Sequence, residues 1–437
     1  MLAYQIRMAF LSLRRNPYLS TLLIAGIAVG IAVATSFVTI HHLMGKDPLP
    51  SKSSRVVYVQ VDAWDPDGPY DDDNPTEPPD QLTYRDARAL LESDIPTHQS
   101  AMFKAQLTVH PEEAGARPFR AMTRMCTGGF FPMFEVPFLY GGGWNQQADD
   151  GPEQVAVLSF ETNVKLFGGD DSVGRRVRIE DRDFTVVGVM APWSPSPKFY
   201  DTLNGAFDPA EEIYLPFRLV EPMEIDTAGN TNGWKFWSGT EFEEFLETEY
   251  TWVQMWAQVD TPEQRDRYMA FLNAYAQQQK DLGRHGRPIN NRLKSVTEWL
   301  DFQEVVAEEV TSLALIAVLF LVVCAFNLIG ILLGKFLARA PEVGVRRALG
   351  ASKASVFLQH LIECQVIGVL GGVFGLLLAT LSLRVIGRMV QVEEVLRLDF
   401  EMAVLGILMS LGAAFVAGTY PAWRICRIAP AAYLKLQ

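Results

Sequence analysis

Four stretches of this chain are apolar for long enough to cross a lipid bilayer, and nothing else in the sequence restricts its fold as much. They read "YLSTLLIAGIAVGIAVATSFVTI" (18–40), "TSLALIAVLFLVVCAFNLIGILLG" (311–334), "VIGVLGGVFGLLLATLSL" (366–383) and "MAVLGILMSLGAAFVAGTYPAW" (402–423). A hydrocarbon core about 30 Å thick needs about 20 such residues in a helix. Helices of a water-soluble domain keep a polar face, and these have none. The first run is too long for a cleaved signal peptide, and no small-x-small site follows it, so it reads as a retained helix.

The spans are unevenly spaced, and their flanks carry charge asymmetrically. Basic residues gather before the first span (Arg7, Arg14, Arg15), between the second and third (Lys335, Arg339, Arg346, Arg347, Lys353) and after the fourth (Arg424, Arg427, Lys435). The long connection, 43 to 309, is acid-rich, and the short one at 391–401 is net negative. The positive-inside rule then makes both termini and the 340s cytoplasmic. Arg384 and Arg388 run against this pattern and are read as snorkelling to the interface. The formal charge of −13 argues against nucleic acid as a partner. Four cysteines, at 126, 324, 364 and 426, have neither disulfide-framework nor zinc spacing.

The expected fold class is an α-helical membrane protein with four transmembrane helices and a large α/β domain between the first and second. The expected segments are an interfacial helix (1–17), first span (18–42), outer domain (43–300), stalk and second span (301–335), charged loop (336–355), third span (356–388), short outer loop (389–401), fourth span (402–423) and tail (424–437). In the interfacial helix Leu2, Ile6, Phe10 and Leu13 share one face, and Pro17 punctuates the turn into the membrane. The outer domain reads as strand (54–64) and helix (81–93) at one end, strand (249–260) and helix (261–283) at the other. Thr261 and Pro262 mark that last helix's start, and Gly283 its end. The middle, including "EQVAVLSFETNVKLFGG", reads as short strands of an inserted β-rich subdomain. No Pro or Gly interrupts "EWLDFQEVVAEEV" (298–310), which predicts one long helix running from outside the membrane through the second span.

Chemistry-bearing motifs are sparse. "DPDGPYDDDNPTEPPD" (65–80) lacks the ligand alternation of a calcium loop and reads as a solvated acidic loop. His41 and His42 near Asp47 read as interface residues rather than metal ligands. No nucleophile elbow, HExxH or phosphate-binding GxxxxGK[ST] occurs in the 437 residues. No catalytic, metal or cofactor site is therefore expected in the chain. The charged run "APEVGVRRALGAS" (340–352) has two readings on physics alone: a helix that docks into a partner's groove, or a re-entry turn with anchoring charges.

Resemblance bears on that choice. Residues 339–379 resemble the signature of FtsX-like permeases, R-x-x-E-I-G-x-R-R-A-x-G-A followed by a Glu-containing segment and a Gly-rich span. "YPAWRICRIAPAAYLKL" (420–436) is similar to that family's C-terminal ending, with Ile425 or Cys426 where a small residue is usual. "TGGFFPMFEVPFLYGGGW" and the segment after it resemble a MacB-type periplasmic core domain. The resemblance implies a permease subunit of an ABC transporter of the MacB/FtsX/LolC class, acting by mechanotransmission in the bacterial inner membrane. It implies a coupling helix gripped by a separate ATPase subunit, mapped here to Glu342, Val343, Gly344, Arg346, Arg347, Ala348, Leu349 and Gly350. ATP and Mg would then be bound by that partner, as in the split-gene members. A second permease chain, identical or paralogous, is implied too, with a periplasmic membrane-fusion adaptor and an outer-membrane channel for efflux. Gly368, Gly371, Gly372 and Gly375 are expected to pack closely against other spans or a second permease, and Glu363 to bind locally near the cytoplasmic interface. Lipoprotein release of the LolC/LolE kind and FtsX-like control of cell-wall hydrolases stay open as alternatives.

Overall fold

The computed structural model describes residues 2–112, 115, 117–151, 153–389 and 396–427. In chain order the longer helices and the strands are α1 (Leu2–Arg15), α2 (Pro17–Met44), β1 (Val56–Gln60), β2 (Leu82–Thr83), α3 (Tyr84–Leu91), β3 (His98–His110), β4 (Phe119–Cys126), β5 (Phe138–Gly141), β6 (Val155–Leu158), α4 (Phe160–Phe167), β7 (Arg176–Ile179), β8 (Arg182–Met190), β9 (Ile213–Pro216), β10 (Thr251–Gln258), α5 (Pro262–Asp281), β11 (Arg292–Ser295), α6 (Val296–Phe302), α7 (Glu308–Leu337), α8 (Ala340–Ala348), α9 (Lys353–Met389) and α10 (Phe400–Cys426). Two compact units result: Met1–Gly45 with Val306–Gln437, and Lys46–Val305.

The Lys46–Val305 unit is built on one hydrogen-bonded sheet in the order β11-β1-β10-β3-β4-β9-β6-β8-β5, with β2 and β7 off that path. Its first and last strands are neighbours, since β1 pairs antiparallel with both β10 and β11. The β-rich middle is present but joined edge to edge to this α/β part. The 13-residue β3 makes the join, pairing with β10 along its first half and β4 along its second. All five β1 residues are buried, because the sheet carries apolar cover on both faces. Val57 and Val59 meet Ala87 and Leu90 of α3 and Tyr268 and Leu272 of α5 on one side. Val56 and Tyr58 meet Phe130, Phe134 and Trp299 on the other.

Local chemistry places these helices. Thr261 accepts a hydrogen bond from the Gln264 N–H, Pro262 begins α5, and Gly283 follows it with φ of 84°. One segment departs from the expected strands. Residues 160–167 form α4, because Ser159 caps the Thr162 N–H and left-handed Gly168 ends the helix.

The other unit is a bundle of four helices long and apolar enough to span a membrane: α2, α7, α9 and α10. α9 packs on α2 and α10, α7 packs on the same two, and α1 lies against α9. Leu315, Ile316, Leu319 and Phe326 of α7 stay exposed on the outside, where lipid takes the place of water. The predicted apolar face of α1 is divided: Leu13 is buried in the bundle beside Ala9 and Ser12, while Ile6 and Phe10 face outward.

The expected continuous stalk helix is not formed. α6 stops at Phe302 and α7 starts at Glu308. Glu304 adopts φ of 46°, and the Glu304 and Val305 N–H groups bond back to the Asp301 and Leu300 carbonyls. This is the Schellman termination that glycine usually makes, here built without one.

Candidate functional site

The charged run at 340–352 folds as a nine-residue helix, α8, between the second and third spans. Pro341 lies in its first turn, where its missing N–H costs nothing. Gly350 ends it at φ of 101°, with the Gly350 and Ala351 N–H groups bonded to the Arg347 and Arg346 carbonyls. The eight residues predicted for this site do not form one surface. Val343 and Gly344 turn inward, Val343 joining Leu13, Phe336 and Val356 in the bundle core. Glu342, Arg346, Ala348, Leu349 and Gly350 are exposed, and Arg347 is half-buried. Val345, absent from the predicted set, is 49% exposed and Leu349 84% exposed, four residues apart. The outer face thus carries two bare apolar side chains with Glu342 and Arg346 beside them.

The inner side of α8 is braced. Arg347 donates to the Cys426 carbonyl at 3.0 Å, and Arg346 to Gln359 Oε1 at 3.1 Å. Arg15 meets Glu342 at 3.6 Å, an exposed pair of little energetic weight. Just inside, Glu363 accepts Lys335 at 2.8 Å and lies 3.6 Å from Arg339. Ser12 donates to Glu363 and accepts from Arg339. Lys335 and Glu363 are buried, so this junction ties α1, α7 and α9 together with charges that have no water to fall back on. His360 stacks on Phe336 with ring centroids 4.5 Å apart. The sequence treats Lys335 and Arg339 only as orienting charges. Their i, i+4 spacing was the available sign that both meet one acid; Ser12 carried no such sign.

The four predicted glycines all face the chain's own spans. A Cβ at Gly368 or Gly372 would meet Ala414 or Ser410 of α10, at 2.7 and 3.0 Å. At Gly371 and Gly375 it would meet Ile27 and Ile31 of α2, at 2.6 and 2.8 Å. His42 does not pair with Asp47. Its ligand atoms instead come within 4.8 Å of those of Asp399 and Glu401, an arrangement that offers three ligands to a cation. Asp399 is already occupied in capping the Met402 N–H. Positions 391–395 of the short outer loop and 428–436 of the C-terminal signature lie outside the described residues.

In the other unit, Arg124 bonds Asp201 and Glu211, and Lys198 lies 3.4 Å from Glu211. Burial pushes Glu211 upward, but Arg124 and Lys198 outweigh it and hold the acid at about 2. All four side chains are buried, so the cluster knits the sheet rather than meeting a solvent-borne substrate. The acidic loop is tied down by cations: Glu77 pairs with Lys294 at 3.1 Å, and Arg287 donates to the Pro75 carbonyl at 2.7 Å.

Four bilayer-length helices, a large α/β domain on the first connection and a braced, outward-facing helix on the second define a class, that of multi-span membrane subunits with an extramembrane domain. The chain belongs to the family with a MacB-like periplasmic core domain, which matches residues 20–274, and it also carries an FtsX-like permease C-terminal domain over residues 314–430. α8 lies within the second match. The macrolide export ATP-binding/permease protein MacB of Acinetobacter baylyi is 22% identical over 379 residues, 86% of this chain and 51% of that one. The pyoverdine export ATP-binding/permease protein PvdT of Pseudomonas syringae pv. syringae is 23% identical over 382 residues, again 86% and 51%. This chain spans about half the length of the curated relatives it matches. The periplasmic region of MacB from Actinobacillus actinomycetemcomitans aligns at 14% identity and a TM-score of 0.36, over 60% of this chain and 95% of that one.

Proposed function

We propose that this chain is the permease subunit of an ABC exporter, driven by ATP hydrolysed on a separate ATPase subunit. The observation that carries the proposal is the outer face of α8, where Val345, Arg346 and Leu349 are presented to solvent while Val343, Gly344 and Arg347 are braced from behind. A helix held rigidly on one side and bare on the other can pass a displacement into the spans it touches. Arg347 supplies a connection to α10, and Arg339, just before α8, supplies one to Glu363 of α9 and Ser12 of α1. The 437 residues contain no phosphate-binding loop, so in this reading ATP and Mg are bound outside them. The basic segments at 7–15, 335–353 and 424–427 gather at the α8 end of the bundle, which supports placing that end in the cytoplasm and the large domain in the periplasm. Export is inferred from relatives named for macrolide and pyoverdine export. A second permease chain, a periplasmic adaptor and an outer-membrane channel complete the proposed assembly.

Affinity capture of the solubilised chain from its native membrane tests this reading. An ATP-binding protein is expected with the wild type and should be lost from a Val345→Glu, Leu349→Glu variant. Those positions are exposed, so the variant's melting temperature should match wild type. Arg346 and Arg347 are left untouched because they hold Gln359 and the Cys426 carbonyl. Failure of any ATP-binding protein to co-purify would remove the coupling role from α8. Capture of an adaptor would support efflux, and of a wall hydrolase the signalling alternative.

A further inference from the structure

At the α8 end of the bundle a cavity of about 260 Å³ is lined by α1, α8 and the beginning of α9. Arg14, Arg15, Arg339 and Arg346 line it against one carboxylate, that of Glu342. The buried Glu363 behind them is already committed to Lys335, Arg339 and Ser12, so the cavity stays strongly positive. His360 also lines it. That side chain is 4% exposed, and neither ring nitrogen has a hydrogen-bond partner among the described residues. Buried polar groups are rarely left unpaired, so this imidazole marks a place where a bound group belongs. Arg14 likewise has no hydrogen-bond or ion-pair partner among the described residues, although its neighbour Arg15 has Glu342.

A second observation says what kind of anion fits. Leu11 and Arg14 also line an adjoining groove of about 580 Å³ between α1, α2 and α9, where Phe10, Leu13, Ile24 and Leu370 make the wall apolar. A cationic cavity opening beside an apolar groove, at the end of a membrane bundle, matches a molecule with a phosphate at one end and a hydrocarbon chain at the other. We propose that this is a binding site for an acidic phospholipid. Its phosphate sits among Arg14, Arg346 and His360, and an acyl chain runs along the groove beneath α1. A soluble phosphate shares the headgroup chemistry but would leave the groove unfilled. The bound lipid braces the inner side of α8. That consequence rests on α8 being the docking helix, whereas the binding itself does not.

Native mass spectrometry of the purified full chain tests the binding with no ATPase present. The protein is loaded in detergent with phosphatidylglycerol or with phosphatidylcholine at equal concentration. One phosphatidylglycerol per chain should survive activation that strips phosphatidylcholine. Arg14→Gln should weaken its retention about tenfold, the size expected for one charge-assisted contact, while Arg14→Lys keeps most of it. Arg14 is exposed, so an unchanged melting temperature in both variants separates lost contact from lost fold. Equal retention of the two lipids, or no effect of Arg14→Gln, overturns the proposal. Displacement of phosphatidylglycerol by millimolar inorganic phosphate also overturns it, in favour of a soluble anion site.

Discussion

Two residues in this chain end a helix in the same way with opposite ease. Gly350 and Glu304 both sit at left-handed φ, with matching backbone hydrogen bonds to the turn before. For glycine that conformation is free, whereas a residue with a Cβ gives up about 1 kcal/mol. Glu304→Gly should therefore stabilise the protein by about 1 kcal/mol, and Gly350→Ala destabilise it by a similar amount. Differential scanning fluorimetry on the two variants would show shifts of opposite sign. Asp149 is a second residue-scale case. Burial pushes its carboxyl from 3.8 up to about 6, against hydrogen bonds donated by the Gly128 N–H and the Trp144 indole that pull it down. The folded state then holds a proton that the unfolded chain releases earlier. Stability is fully present below about pH 4 and declines as pH rises through 6, by up to about 3 kcal/mol. Denaturant midpoints between pH 4 and 7 should fall in the wild type and change less in Asp149→Asn; equal slopes would refute this.

At the scale of elements, α9 owes its central place in the bundle to small residues on two of its sides. Gly371 and Gly375 let it approach α2, and Gly368 and Gly372 let it approach α10. Gly371→Leu would force a side chain onto Ile27, an overpacking that typically costs about 1–3 kcal/mol. Gly412→Leu, where a Cβ meets nothing within 4 Å, is the matched control. The first should lower the melting temperature in detergent and the second leave it near wild type. Equal behaviour would show that the helices separate easily. The interrupted α6–α7 junction belongs to this scale as well. Absence of Pro and Gly made a continuous helix the simplest reading, yet helix continuity is decided by where the preceding turn's carbonyls find donors. At Leu300 and Asp301 they find the N–H groups of Val305 and Glu304.

At the scale of the whole molecule, the membrane unit is closed at the α8 end by buried charge as well as by apolar contact. Lys335 and Arg339, four residues apart, meet Glu363 and the sequence-distant Ser12 at a junction where Lys335 and Glu363 are buried. Glu363→Gln leaves two cations facing a neutral amide, which should cost about 3–5 kcal/mol. Lys335→Met combined with Glu363→Leu should recover much of that loss, because the buried pair also carried a desolvation cost. A melting series on the single and double variants checks this, and additive losses would show that the two groups act independently. If α8 transmits force, the single variant should also uncouple it before the bundle unfolds.

Apolar run length determined the number of spans, and flanking charge determined which segments share an end. Both are local properties that the bilayer imposes on any chain, so they survive without knowledge of packing. Thr261, Pro262 and Gly283 marked α5 for the same reason, since caps act within a few residues. The outward face of α8, the direction in which each α9 glycine points, the bond from Arg347 to the Cys426 carbonyl and the carboxylates beside His42 were decided by tertiary structure. Each depends on which distant segment lies opposite, and the sequence of one helix does not contain the surface of its neighbour.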